Sequence, residues 1–345
     1  MRKNVALIYG GRGFEHEVSL SGADFVLPLI NQEKYNIIPV FIAKDGRWLV
    51  SKNGDKFARP EGADFCECVA LINNGDRGGI ITSTGFVIID VAFPLLHGDY
   101  GEDGVVQGAL ANANIPYVGE RLFVGALCLD KVATRTVAEG LSIPGAKWCS
   151  FSAGDCSDEA RLISEKKIGY PLFIKPRALG SSVGAGRADN EAEFVRLFDG
   201  ASRLGDGRVL VESCVDIDCE LEIGVLYNRG EYVFTSIGRV CGVGVFYDYK
   251  EKYSTGSCAI VDPSPVIDGV VKEKIICYTR ALVNALEIRS LCRVDFFLGK
   301  DGEIYFNEIN TMPGFTEKSL YPALVTGCGI SPEELVDILI EGAGL

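Results

Sequence analysis

Four polar residues in LCRVDFFLGKDGEIYFNEIN, residues 291–310, have the types and spacing of an oxygen-rich cation site. Side chains alternate faces along a strand, so Arg293 and Asp295 share one face. Glu308 and Asn310 share one face of the strand that returns after the GKDG turn. Two carboxylates and an amide oxygen beside a guanidinium suit magnesium when it also holds nucleotide phosphates. A solvated hairpin face is the alternative. It is weakened by Val294, Phe296, Phe297, Ile304, Tyr305 and Ile309, which ask for a packed hairpin whose polar face lines a cleft.

Such a cleft needs a way to hold phosphates. No G-x-x-x-x-G-K-[ST] run occurs, which excludes a P-loop, and the GGRGFEHE loop lacks the third glycine of a dinucleotide fingerprint. Lys175, closing PLFIKP before the turn LGSSVGAG, offers instead a cation followed by several backbone N–H groups. A glycine-serine turn without function is the competing reading. Zinc is not expected: Cys66 and Cys68 are close, but there is no C-x-x-C pair, and His16 and His97 are the only two histidines.

The elements that must position these groups are those of a multidomain α/β and α+β chain. Strand-like runs VALIYG, NIIPVFIA and GFVIIDVAFPLL alternate with helical patterns EVSLSGADFVLPLI and DGVVQGALANAN, predicting a parallel-sheet domain to about residue 120. A helical pattern from Gly125 to Gly140 leads to a compact unit of strand PLFIKP, strand VGAGRA and helix NEAEFVRLF. RVLVESCV then opens a third section, with antiparallel strands around an N-R-G turn. A long irregular stretch from Cys241 to about Val261 precedes helix VKEKIICYTRALVNALEI and the polar hairpin.

At 345 residues and 47% hydrophobic, the chain can bury two or three cores. A formal charge of −13 argues against a nucleic-acid partner. The apolar run in MRKNVALIYGG is shorter than a signal peptide's, and no stretch is long enough to span a bilayer. These features predict a cytoplasmic protein without a membrane partner, whose 12 cysteines stay free thiols.

Eight segments then occur in order over nearly the whole chain: GGRGFEHEVSLSG, HGDYGEDGVVQG with NIPYVG, LDK at Asp130 and Lys131, IKPRALGSSVG, VLVES, FYDYKEKY, RVDFF and NEINTMPGFTEKSLYP. In content and order they resemble the D-alanine–D-alanine ligase family of the ATP-grasp superfamily. The resemblance implies an N-terminal Rossmann-like parallel-sheet domain that binds substrate, residues 1–120. A two-lobed ATP-grasp fold would follow, with a central lobe at 121–208 and a C-terminal lobe at 209–345 carrying the metal site and a mobile flap.

It implies in turn that ATP activates one D-alanine as an acyl phosphate and the amine of a second displaces phosphate. Lys131, Lys175, Ser181, Ser182 and Lys252 would then bind ATP, with Glu212 on the adenine amino group and Glu220 on the ribose. The interval from Glu212 to Glu220 is one residue longer than the common family pattern. Asp295, Glu308 and Asn310 would carry two Mg2+ ions, for which Mn2+ could substitute. Glu15 would pair with the first ammonium. Arg293 and the Gly314 N–H would stabilise the tetrahedral oxyanion, and Ser319 and Leu320 would meet the second substrate. Ser181, Tyr253 and Glu15 would close the site, with Lys252 on the transferring phosphoryl group. His97 is assigned to organising its loop rather than to acting as a base. A homodimer is the implied assembly. A ligase taking D-serine or D-lactate second is the alternative, although Lys252, Tyr253 and Leu320 favour D-alanine.

Overall fold

The computed structural model describes residues 2–51, 65–82, 85–241 and 260–344. Lys252, Tyr253 and the expected flap lie outside the described residues. Three sheets organise the chain. The first has seven strands in the order β6-β5-β4-β3-β2-β1-β7. Next to one edge, β1 (Lys3–Gly10) runs parallel to β2 (Tyr35–Ile42) on one side and to the edge strand β7 (Val91–Pro94) on the other. The continuous burial from Val5 to Gly10 is what a strand covered on both faces requires. Helix α1 (His16–Val26) makes the crossover from β1 to β2, and α2 (Val105–Asn112) follows β7.

This sheet is parallel only in those three strands. β3 (Trp48–Ser51), β4 (Phe65–Asn73), β5 (Gly78–Thr82) and β6 (Gly85–Ile88) extend it antiparallel. The run GFVIIDVAFPLL, which reads as one strand, is split between β6 and β7 at opposite edges. Asp90 makes the break: its carboxylate accepts the Asn4 N–H at 2.7 Å, and its own N–H donates to Asn4 O at 2.9 Å.

The second sheet, β10-β9-β11-β8, contains β8 (Trp148–Phe151), β9 (Leu172–Pro176), β10 (Gly186–Ala188) and β11 (Val209–Ser213). Helices α5 (Ser157–Lys167) and α6 (Glu191–Ala201) cover it, with Phe194 and Phe198 against Leu172, Ile174 and Val211. β11, grouped on sequence with the third section, pairs with β9 and β8, so this sheet ends after 208.

The third sheet, β14-β13-β12-β15-β16, holds β12 (Ile217–Asn228), β13 (Glu231–Cys241), β14 (Ile260–Asp262), β15 (Leu291–Gly299) and β16 (Ile304–Asn310). Arg229 and Gly230 turn β12 into β13 with φ of 50° and 92°, the double positive φ of a tight hairpin. The pattern from Gly125 to Gly140 resolves into α3 (Leu122–Leu129) and α4 (Lys131–Gly140), split at Asp130. Both pack on this third sheet with α7 (Gly269–Leu286), through Val124, Cys128, Ala138 and Leu282. The last helices, α8 (Leu320–Thr326) and α9 (Pro332–Glu341), return to the first sheet, where Tyr321, Val325, Leu335 and Leu339 join Val5, Leu7 and Tyr9 in one core. Among the described residues no helix is long and apolar enough to cross a membrane.

Candidate active site

Two cavities meet where the three sheets converge. The larger lies between the second and third sheets and is lined by Lys175 and Glu212 from one, and by Glu220, Glu222 and Asp295 from the other. The smaller is lined by Glu15, His97, Glu102, Arg293, Asn310 and Gly314. Lys131, Gly180, Ser181 and Glu308 line both and form the shared wall.

In the polar hairpin Arg293 lies opposite Asn310 and Asp295 opposite Glu308. A bulge after Asp295, absorbed at Asn307, shifts the rest of the ladder. Arg293 donates from Nε and Nη2 to the two oxygens of Asp295 at 2.8 and 2.7 Å, and Asn310 Nδ2 donates to Asp295 Oδ2 at 2.9 Å. Glu222 on β12 lies 2.7 Å from Arg293 Nε on the other side. Burial works against the guanidinium charge, but Asp295 and Glu222 hold Arg293 protonated well above its ordinary range. Glu222 is a partner that sequence reading missed, because pairing across two strands leaves no local spacing.

The four-stranded sheet supplies the opposite wall. Lys175 Nζ lies 2.7 Å from Glu212 Oε2, and Glu212 also pairs with Arg135 of α4. Burial pushes Lys175 down, opposed by Glu212. Burial would raise Glu212, but Arg135 and Lys175 outweigh it and hold the carboxylate below its ordinary value. Arg135, 2% exposed, was also missed; it donates from Nη1 to Phe306 O at 3.2 Å and so ties α4 to β16.

Beyond β9 the chain enters the turn through Ser181 and Ser182 at φ of 52° and 56°. This left-handed path, uncommon for side-chain-bearing residues, marks a strained, over-determined loop. Ser181 Oγ donates to Glu15 Oε1 at 2.5 Å, closing one end of the smaller cavity. Lys131 Nζ donates to Leu179 O at 2.6 Å and stands 3.7 Å from Glu308 Oε2. Among the described residues Lys131 is the cation that lines both cavities.

His97 is buried, with Nδ1 3.0 Å from Met312 O. A carbonyl only accepts, so Nδ1 carries the proton, and burial lowers the ring's pKa against the pull of Glu15. Glu102, absent from the sequence assignments, accepts the N–H groups of Gly98 at 2.9 Å and Met312 at 3.1 Å. Burial, then Glu15, pushes it up to about 8. The HGDYGEDG loop and the loop after β16 are therefore held together by His97 and Glu102. Ser319 and Leu320 do not line either cavity. Ser319 Oγ accepts the Thr316 N–H at 2.9 Å beside Gly314, and Leu320 is packed against Gly238.

The donor set fits a hard divalent ion in part. Among the described residues no three His, Cys, Asp or Glu side chains cluster as ligands. Asp295 and Glu308 face each other with Asn310 adjoining, two carboxylates and an amide. Such a set is a partial oxygen shell, of the kind that a hard divalent ion would complete with phosphate oxygens and water.

The chain is similar to known proteins over nearly its whole length. Residues 4–120 match the family model for the D-ala D-ala ligase N-terminus, and residues 137–341 that for the D-ala D-ala ligase C-terminus. The D-alanine--D-alanine ligase of Bacillus cytotoxicus is 37% identical over 97% of this chain and 94% of its own. That of Chloroherpeton thalassium is 34% identical over 99% and 96%. The solved VanG D-Ala:D-Ser ligase from Enterococcus faecalis superposes with a TM-score of 0.86 at 32% identity, covering 99% of both chains. The D-alanine-D-alanine ligase from Coxiella burnetii gives 0.83 at 29% identity, over 99% of this chain and 93% of its own. With both terminal halves matched and curated relatives similar over nearly their full length, the chain belongs to the D-alanine–D-alanine ligase family.

Proposed function

We propose that this chain binds ATP in the larger cavity and D-alanine in the smaller, and joins two D-alanines into D-alanyl-D-alanine for peptidoglycan precursor synthesis. The observation that carries the reading is the wall common to both cavities, where Lys131 and Glu308 stand 3.7 Å apart. A γ-phosphoryl group entering from one side and a carboxylate from the other meet there. Lys175 and Lys131 face the phosphates as fixed cations. Glu212 and Glu220 line the adenosine side, and the Ser181–Ser182 turn borders the phosphates.

On the substrate side, Glu15, steadied by Ser181, takes the first ammonium, and His97 holds the loop behind it. Arg293, kept charged by Asp295 and Glu222, lies with Gly314 where a tetrahedral oxyanion would form. Ser319 and Leu320 adjoin that end and are assigned to the second substrate. Lys252 and Tyr253 complete the reading as the cation and hydroxyl of a closing segment that excludes water from the acyl phosphate. Asp295, Glu308 and Asn310 are the residues that would hold magnesium, or manganese in its place. The ions would neutralise β- and γ-phosphate charge. A cytoplasmic location and a homodimer belong to the same reading.

The 32% identity to VanG D-Ala:D-Ser ligase favours a second reading, in which D-serine is the second substrate. The test is phosphate release from ATP and magnesium with D-alanine alone, then with D-serine or D-lactate added, products identified by mass. D-alanyl-D-alanine as the dominant product is the expected result. A mixed dipeptide or depsipeptide in excess would establish the second reading, and no D-alanine-dependent release would overturn both.

A further inference from the structure

Helix α4 is fixed to two sheets at once. Its apolar side, with Val137 and Ala138, is packed in the core of the five-stranded sheet. The residue before its first turn, Asp130, is held by the four-stranded one. Asp130 Oδ1 accepts the N–H groups of Val132 and Ala133 at 3.0 and 3.1 Å, capping the helix. The same carboxylate accepts Arg177 Nε–H on its two oxygens at 2.7 and 2.8 Å, and Arg208 Nη1 lies 3.5 Å from Oδ2.

Arg177 follows β9, Arg208 precedes β11, and the Arg177 N–H donates to Arg208 O at 3.0 Å. Two neighbouring strand ends therefore grip one carboxylate. The next residue is Lys131. Its backbone N–H donates to Arg177 O at 3.2 Å, and its Nζ donates to Leu179 O at 2.6 Å, two residues further along the segment that Arg177 begins. Lys175 and Glu212, by contrast, are placed by the ladder between β9 and β11 and line the nucleotide cavity alone.

We propose that Asp130 and Arg177 form a positioning pair that seats Lys131 on the wall between the two cavities, and so governs phosphoryl transfer rather than affinity for ADP, which lacks the transferring group. This rests on the functional reading above. Capping and ionic grip are separable, because asparagine caps a helix about as well as aspartate but offers Arg177 no charge.

The test uses the full chain with Asp130→Asn, Arg177→Gln and the double substitution, measuring kcat, the dissociation constant of ADP and the melting temperature. Each single variant should lose about ten- to a hundredfold in kcat, the range a small misplacement of a reacting group produces. ADP affinity should stay within about threefold of wild type, and the double variant should be no slower than the worse single, as for residues acting as one unit. A parallel fall in ADP affinity, unchanged kcat or multiplying losses would overturn the pairing. Should Asp130→Asn not fold, Arg177→Lys keeps the charge but not the planar fork, and kcat between those of wild type and Arg177→Gln is required. An active wild type with fully active variants overturns this proposal alone. A wild type without D-alanine-dependent phosphate release overturns it together with the function.

Discussion

Glu308 serves two neighbours, facing Asp295 across the hairpin and Lys131 across the cavity wall. Glu308→Gln keeps the volume but removes the charge that a divalent ion needs. Turnover should fall by more than about a hundredfold, a loss comparable to removing a key electrostatic group, while the melting temperature stays within a few degrees; near-normal turnover would refute the metal assignment. A different carboxylate reports on stability. Glu120, 3% exposed, accepts N–H groups from Arg289 and Ser290, the nearest at 2.7 Å, and burial raises it to about 7 despite those bonds. A carboxyl raised in the folded state stabilises most below its unfolded pKa, and that contribution disappears as pH rises through about 7. Between pH 5 and 8 the wild type should therefore lose on the order of 2 kcal/mol relative to Glu120→Gln, which cannot ionise. Parallel pH profiles by thermal unfolding would show that Glu120 is not buried in this way.

Elements differ in how much of them the sequence discloses. The hairpin from Leu291 to Asn310 and the Asn228–Gly230 turn are legible because period-two alternation and positive-φ residues are local signals. The antiparallel extension of the first sheet and the place of β11 are not, since strand partners far along the chain leave no periodic trace. The same holds for Arg135, Glu222 and Glu102, whose functions depend on what folds against them; only the ordered segments GEDG and RVDFF pointed to their neighbourhood. Helix α7 is a test of local chemistry. Asp268 Oδ1 accepts the Val270 N–H at 2.8 Å and the Val271 N–H at 3.4 Å. Asp268→Ala should cost about 1 kcal/mol in chemical denaturation. Its kcat should not change, because no residue of α7 lines either cavity; a change in kcat would mean that the helix transmits to the site.

At the scale of the molecule, the larger cavity is a seam between two sheets joined by α4, Arg135 and Glu212. A ligand that bridges the seam binds only the folded arrangement. ADP at a hundred times its dissociation constant should therefore stabilise by about 2.7 kcal/mol, read as a rise in melting temperature that omission of magnesium reduces. No rise would place the nucleotide elsewhere. The return of α8 and α9 to the first sheet concerns time rather than affinity. Tyr321, Val325, Leu335 and Leu339 cover Val5, Leu7 and Tyr9, so contacts in one core are separated by more than 300 residues of chain. At a ribosomal rate of about 5 to 20 residues per second, the strand β1 waits roughly 15 to 60 seconds for the helices that cover it. Throughout that interval the part of the apolar face that α1 leaves to these helices is open to chaperones and to other nascent chains, and a ribosome stalled before residue 320 leaves that part uncovered.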